Sequence, residues 1–291
     1  MKHIATRLVC TTVFLLSLVA FAPFAAAQTA PTPPDPAPAG EVELFELVLK
    51  DGSRLFGRIE RETEQEVVFQ TQSGAVITAA RQEIVSLKIV TGRITRGEFV
   101  RADMQRTRLF FAPTGRSLEK GQVSVGVFQF LVPFVQIGVT DDFSIGGGTP
   151  LVFGIEDFDR PFWITPKYRV INAEKVQAAV GMLHVFDTSE GDSAGIGYGV
   201  ATFGSSDNAI TTGLGVAYSG DSRGGIAMLG GERRVSRNMK LITENYIWQD
   251  GGGIISGGVR FIGERLSADL GLAIPIRDGW VMPVLNFVYV F

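Results

Sequence analysis

The chain has 291 residues, with 27 Lys and Arg against 30 Asp and Glu. This balance gives no reason to expect a nucleic-acid partner. The mean hydropathy of +0.21 is high for a water-soluble protein, yet beyond the amino-terminal segment no continuous apolar run is long enough for a spanning helix. The 35 glycines disfavour helix. Apolar residues spread over alternating strands therefore predict an all-β protein.

Residues 1–27 have the pattern of a cleaved secretory signal peptide. Lys2 and Arg7 precede an apolar run that ends in three alanines. A retained membrane anchor is the weaker interpretation, because Pro23 breaks the run and no basic stop-transfer flank follows. Cleavage removes Cys10, the single cysteine. The mature chain then has no disulfide and keeps 25 basic and 30 acidic side chains, a net charge near −5.

Two segments follow the signal peptide. Residues 28–40 are rich in proline and predict an extended linker. Residues 41–90 contain five short strand-like runs, separated by turn signals such as Asp51-Gly52 and Ser73-Gly74. Their order, Leu-Lys-Asp-Gly-Ser, Val-Val-Phe, Gly-Ala-Val-Ile and Glu-Ile-Val-Ser-Leu, resembles the small five-stranded barrels of the SH3, Sm and PRC type. The resemblance implies a module that binds a partner, and a stabilising collar beneath a membrane barrel is the alternative.

Residues 91–120 form a basic connector in which aromatic and apolar residues alternate with arginines. Such a segment can lie on anionic head groups, or it can fold up into a barrel mouth as a plug. We favour a solvated linker whose last part enters the first strand of the following domain. The arginines are Arg93, Arg96, Arg101, Arg106, Arg108 and Arg116.

Residues 121–291 repeat runs of about ten residues, the length that a tilted strand needs to cross a bilayer. The pattern predicts a transmembrane antiparallel β-barrel of about 12 strands. The first hairpin, around Val132-Pro133, has almost no loop, and if its two runs form one strand the count falls to ten. The predicted strands are 121–130, 132–140, 142–153, 161–171, 175–186, 194–204, 208–219, 224–235, 238–248, 253–262, 265–274 and 280–291.

Short and long connections alternate along this domain. Outer-membrane barrels have short periplasmic turns and longer external loops, so the alternation predicts that both termini and the small domain lie in the periplasm. The short connections are 140–142, 172–174, 205–207, 236–238 and 263–264, and the longer ones are 154–160, 187–193, 220–223, 249–252 and 275–279.

Alternation within strands predicts which side chains face lipid. A charge such as Asp269 is costly at mid-bilayer, so the opposite, apolar face of its strand is assigned to lipid. The lipid-facing sets are Leu266, Ala268, Leu270, Leu272 and Ile274 in that strand, Ile196, Tyr198, Val200 and Thr202 in an earlier strand, and Ile210, Thr212, Leu214, Val216 and Tyr218 in the strand after it.

The same rule predicts charged side chains inside the lumen. Lys240 and Glu244 point the same way from one strand and Arg260 lies on the next, and opposite charges in a narrow interior are expected to pair. The predicted lumen-lining charges are Lys167, Arg169, Lys240, Glu244, Arg260 and Asp269.

The chain ends on three aromatic residues of one strand face, Phe287, Tyr289 and Phe291. This ending resembles the terminal signal of bacterial outer-membrane barrels. The resemblance implies outer-membrane lipid and the barrel-assembly machinery as partners.

The chain offers weak candidates for catalysis. His184 is the one histidine outside the signal peptide, and it is followed by Val185-Phe186 rather than by the His-x-Ser pair common in lipid-processing barrel enzymes. Asp157 and Asp159 offer a pair of acids that could activate water, as in barrel proteases resembling the omptins. Asp187, Glu190 and Asp192 lie in the next loop, and the spacing of these acidic residues matches no calcium loop. Weak divalent-cation binding is the less favoured alternative to a solvated loop. We therefore expect no enzyme, no catalytic residue, no cofactor and no metal.

Five stretches resemble a family of uncharacterised bacterial outer-membrane barrels over most of residues 105–291. This resemblance implies the fold and the location and supplies no activity. Two functions stay open, a narrow porin-like pore for small solutes and a non-transporting structural or interaction protein whose 41–90 module binds a periplasmic partner. The stretches are Arg106-Thr-Arg-Leu-Phe-Phe-Ala-Pro-Thr-Gly-Arg-Ser-Leu, Thr140-Asp-Asp-Phe-Ser-Ile-Gly-Gly-Gly, Trp163-Ile-Thr-Pro-Lys, Gly199-Val-Ala-Thr-Phe-Gly-Ser-Ser-Asp-Asn and Leu241-Ile-Thr-Glu-Asn-Tyr.

Overall fold

The structure is a computed structural model that describes residues 42–95, 98–151, 161–186, 193–277 and 279–291. The predicted signal peptide and proline-rich linker lie outside these residues, as do most of the predicted loops 154–160 and 187–193. Among the residues described, no helix combines the length and the hydropathy that a membrane-crossing helix needs. The chain divides into two compact units between Ala102 and Asp103.

The first unit is a six-stranded antiparallel sheet with the order β4-β3-β2-β1-β5-β6. The five runs predicted in residues 41–90 correspond to β1–β5, and their hairpins turn at Gly52 and Gly74, both with positive φ. The predicted connector begins inside β5 and includes β6, so residues 91–95 and 98–101 belong to this sheet. The SH3-like character of the unit stays a prediction. The strands are β1 (Val42–Leu49), β2 (Arg54–Glu62), β3 (Glu66–Thr71), β4 (Val76–Ala80), β5 (Ile84–Thr95) and β6 (Glu98–Arg101).

The second unit is a closed antiparallel barrel. The segments β10 and β11 both pair with β9 and β12 and together form one strand. The remaining neighbours pair in sequence, and β19 pairs with β7 to close the ring of 12 strands. The segments are β7 (Val123–Phe128), β8 (Val132–Gly138), β9 (Phe143–Gly148), β10 (Phe162–Ile164), β11 (Lys167–Ala173), β12 (Val176–Phe186), β13 (Ser193–Gly204), β14 (Asn208–Ser219), β15 (Ser222–Ser236), β16 (Met239–Trp248), β17 (Gly253–Ile262), β18 (Leu266–Pro275) and β19 (Met282–Val290).

The count of 12 strands is confirmed and the alternative of ten is wrong, because β7 and β8 form a true hairpin. Its turn puts Gln129 and Phe130 at φ 52° and 61°, a conformation that hairpins usually assign to Asn or Gly. The Gln129 side chain donates to the Pro283 carbonyl at 2.6 Å and accepts from the Leu285 N–H at 2.8 Å. These bonds hold the turn against β19.

Two of the three predicted lipid-facing sets point outward. Leu214 of β14 and Leu270 of β18 are exposed, whereas Thr211 and Asp269 on the opposite faces of the same strands are buried.

The assignment for β13 is wrong. Val200 and Thr202 are buried, and they lie opposite Gly213 and Thr211 on the inward face of β14. A Cβ atom added to Gly199 would meet nothing within 4 Å. Large side chains of β13 thus fill the inside of the barrel where β14 carries glycine, and small residues of β13 face out.

The outer surface of the barrel has an aliphatic band between two aromatic groups. Near the end where β12 finishes, Phe162 stacks on Phe186 with ring centroids 4.5 Å apart, and His184 Nδ1 lies 2.5 Å from the Tyr218 hydroxyl. Near the opposite end, Phe203, Phe261, Tyr289 and Phe291 are exposed. Exposed aliphatic side chains between the groups include Val180, Leu214, Leu229, Leu270 and Leu272.

Candidate functional site inside the barrel

Residues 103–118, which we call the plug, lie inside the barrel. Leu109 and Phe110 are fully buried and pack with inward-facing residues such as Val200 and Ile242. The solvated-linker interpretation of this segment is therefore wrong. The charged and polar positions of the plug find partners on strands that are distant in sequence, which a local pattern does not reveal.

The side chain of Arg260 joins the barrel wall to the plug. It forms a bidentate ion pair with Asp269, with nitrogen to oxygen distances of 2.7 and 3.1 Å. Its Nη1 lies 3.4 Å from Asp103 Oδ2 in the plug. It also donates to the plug carbonyls of Gln105 at 2.8 Å and Leu109 at 2.6 Å. A guanidinium has five donors in a rigid fork, so one side chain can satisfy this many acceptors.

The second junction is made by Lys240. Its Nζ lies 2.7 Å from Asp103 Oδ2 and 2.8 Å from Glu232 Oε2. Arg116 of the plug contacts the same Glu232 carboxylate and donates to the Ser205 carbonyl at 2.7 Å. Burial favours the neutral form of Asp103, but the Lys240 ammonium and the Arg260 guanidinium outweigh it and hold the pKa of this carboxyl below its usual range.

Two further wall charges bind the backbone of the plug. Glu244 accepts the N–H groups of Phe111 and Ala112 at 2.9 and 3.0 Å. Lys167 Nζ donates to the carbonyls of Thr107, Thr114 and Arg116, the shortest at 2.6 Å.

The predicted pairing among Lys240, Glu244 and Arg260 needs correction. Lys240 and Arg260 take acids from other strands and from the plug, and Glu244 binds plug N–H groups. Five of the six predicted lumen charges contact the plug, since Asp269 also accepts from Gln105 at 3.4 Å. The sixth, Arg169, instead pairs with Asp142 at 2.8 Å beside a turn.

These contacts lie in the half of the interior that is nearer to the turns at 205–207 and 236–238, which we call the turn half. The other half, called the loop half, lies toward the ends of β12 and β16 at Phe186 and Trp248. It holds a cavity of about 600 Å³ above the plug. The sequence did not predict this cavity, because the wrong assignment for β13 placed the lining residues Ile196, Tyr198 and Val200 on the lipid side. Its aromatic lining residues are Phe111, Phe128, Phe134, Trp163, Tyr198, Tyr246 and Trp248.

Arg108 of the plug also lines the cavity. Its guanidinium carbon lies 3.9 Å from the ring centroid of Phe134 and 4.9 Å from that of Phe128. The side chain is 8% exposed, and its buried Nε has no hydrogen-bond partner among the described residues. Cation–π contacts stabilise such a charge but do not neutralise it.

The remaining predicted sites fall only partly within the described residues. Phe287, Tyr289 and Phe291 alternate with the buried Val288 and Val290, and the rings of Tyr289 and Phe291 are 4.6 Å apart. Their role as an assembly signal stays a prediction. Asp157 and Asp159 lie outside the described residues. Within the described ranges, no cluster of three or more His, Cys, Asp or Glu residues could hold a metal ion.

No protein-family model matches the sequence, and no curated protein matches it significantly. Solved structures that are similar to this chain include three porin or outer-membrane proteins. A KdgM porin in complex with disordered oligogalacturonate has 7% identity, a TM-score of 0.46 and coverage of 58% of this chain and 98% of its own. The NanC porin has 10% identity, a TM-score of 0.39 and coverage of 58% and 97%. A loop-deletion mutant of the Vibrio cholerae outer-membrane protein OmpT has 12% identity, a TM-score of 0.35 and coverage of 86% and 97%.

Proposed function

We propose that this protein is an outer-membrane β-barrel that acts as a closed channel for small solutes, with the plug as its gate. The aliphatic band between two aromatic groups matches the outer surface of a membrane barrel. Soluble monomers rarely expose apolar surface of this extent. The short turns at 205–207 and 236–238 support an orientation with that end in the periplasm, and the exposed carboxyl-terminal aromatics support a role in assembly.

The observation that carries the channel proposal is the hollow loop half, which ends at the plug. A barrel that only anchors a domain has no need of a cavity of about 600 Å³. The plug is held mainly by side chains of the wall. Two ion pairs lie within the wall itself, Arg260 with Asp269 and Lys240 with Glu232, and they would remain if the plug left. The wall therefore keeps much of its charge balance when the plug moves.

Single-channel recording in planar bilayers tests this function. The double variant Asp103→Asn/Arg116→Gln removes the two ionic side chains through which the plug joins these pairs, and leaves both pairs in the wall. We expect rare, brief openings in the unmodified protein and at least several-fold more frequent openings in the double variant.

The matched control is Arg106→Gln/Glu119→Gln, which removes the ion pair that joins Arg106 of the plug to Glu119 just after it, at 2.5 Å. The control also removes one positive and one negative charge but leaves the buried network intact, so its openings should equal those of the unmodified protein. Silence in all three proteins, each shown to be folded, would reject the channel. It would favour the alternative, an interaction protein whose small sheet binds a periplasmic partner.

A further inference from the structure

We propose that the loop-half cavity binds an amphiphile with one anionic headgroup and an apolar tail, a long-chain carboxylic acid being the simplest case. The headgroup lies at Arg108 and the tail lies among the aromatic and aliphatic side chains above it. This inference rests on the proposed function only in taking the barrel to be a membrane protein, since binding does not need the plug to move.

The buried cations of the interior fall into two groups. Arg116, Lys240 and Arg260 each contact at least one carboxylate within ion-pair distance. Arg108 and Lys167 line the cavity instead, and neither forms an ion pair with a carboxylate of the described residues. The three hydrogen bonds of Lys167 go to neutral carbonyls.

An unpaired buried cation is costly, and removing water from it without a counter-charge makes it more so. The Arg108 side chain faces a cavity, and its Nε lacks a partner. An anion beside Arg108 would supply the missing partner through charge-assisted hydrogen bonds, which are stronger than neutral ones. The site therefore selects for negative charge at its base.

Most of the remaining lining is apolar and selects against a polar ligand, although Gln129, Gln136 and Thr165 also face the cavity. Leu183, Ile196, Ile226, Met228 and Met282 add aliphatic and thioether surface to the aromatic side chains around the cavity. A sugar or other polyol would lose its hydrogen bonds to water and find few replacements. An apolar tail gains from the same surface, and a cavity of about 600 Å³ lies within the usual range for a small-molecule site.

Tryptophan fluorescence gives a direct test, because Trp163 and Trp248 line the cavity while Trp280 is exposed elsewhere. The background variant Trp280→Phe leaves two tryptophans, both at the site. The full chain in this background, in uncharged detergent, is titrated with dibromostearic acid, whose bromines quench indole on contact. The methyl ester of the same acid provides a tail without the charge.

We expect the acid to quench at a concentration at least about tenfold lower than the ester, as the gain from a hydrogen bond to a charged group implies. Arg108→Gln should abolish this preference and leave quenching by the ester unchanged, which also reports that the cavity is intact. Arg106→Gln, the matched plug arginine whose partner is Glu119, should change neither titration.

Equal quenching by the acid and the ester in the unsubstituted Arg108 protein would overturn the proposal without any variant at the site. So would an unchanged preference for the acid in folded Arg108→Gln. A protein that binds the acid but never conducts would contradict the channel alone, and one that conducts but ignores the acid would contradict this inference alone.

Discussion

The turn half and the loop half of the barrel interior use the same inward-facing strand positions in opposite ways. Along β16, Lys240 and Glu244 in the turn half contact the plug, whereas Tyr246 and Trp248 farther along the same face line the cavity. Along β13, Thr202 bonds the plug and Ile196 lines the cavity. The two halves therefore differ in what occupies them. The turn half is filled by the plug and its buried ion pairs, whereas the loop half is an open cavity with a mostly apolar lining.

The largest expected effect concerns the turn half. Arg260→Met removes the cation from Asp103 and Asp269 and leaves both carboxylates buried, along with the plug carbonyls that Arg260 satisfies. Breaking a buried ion pair by removing one partner costs about 3–5 kcal/mol. We expect a loss of this size in the free energy of unfolding, measured by urea titration with the heat-modifiable gel shift as the folded signal.

Arg265→Met is the control for this change, because Arg265 is exposed beside the turn after β17. Its effect should stay within about 0.5 kcal/mol. A similarly small effect for Arg260→Met would mean that the charges of the turn half are solvated. It would contradict the claim that the two halves differ in how their interior is filled.

A second prediction compares packing in the two halves. Leu109 of the plug is fully buried, so Leu109→Ala should cost about 2–5 kcal/mol by opening a cavity. Ile196 already borders empty space and loses contacts on one side only, so Ile196→Ala should cost roughly 1 kcal/mol. Urea titrations of the two variants give both numbers. Equal losses would indicate that the loop half is as tightly packed as the turn half.

The sequence was sufficient for features that depend on local periodicity. The number of barrel strands, most of their bounds and the outward faces of β14 and β18 follow from alternation and turn residues. Asp269 decided the face of β18, because a charge is excluded from the lipid side. The burial of the charged wall residues follows from the same rule.

Two features could not be read from local patterns. The plug depends on partners far along the chain, such as the bond between Arg260 and the Gln105 carbonyl across 155 positions. The face of β13 carries no charge on either side, so large apolar residues and glycines fit either orientation. The orientation of β13 is fixed by its register with β14, in which Val200 lies opposite Gly213. This register can be read only from the three-dimensional structure.

A pair of variants that includes the smallest expected change tests the orientation of β13, on which the apolar lining of the loop half depends. Thr202 Oγ1 accepts the plug N–H of Gly115 at 2.9 Å and lies 2.9 Å from Thr211 Oγ1. Thr202→Val leaves that buried N–H without its acceptor and should cost about 1–3 kcal/mol. Gly199→Ala adds a methyl group on the open outer side at an ordinary φ, so it should be neutral or stabilise by up to about 1 kcal/mol. If β13 faced the other way, the signs would be reversed. Gly199→Ala would destabilise the protein by a clash with the packed interior, and Thr202→Val would stabilise it by placing an apolar side chain against lipid. Urea titration of the two variants side by side therefore decides the orientation by the sign of each change.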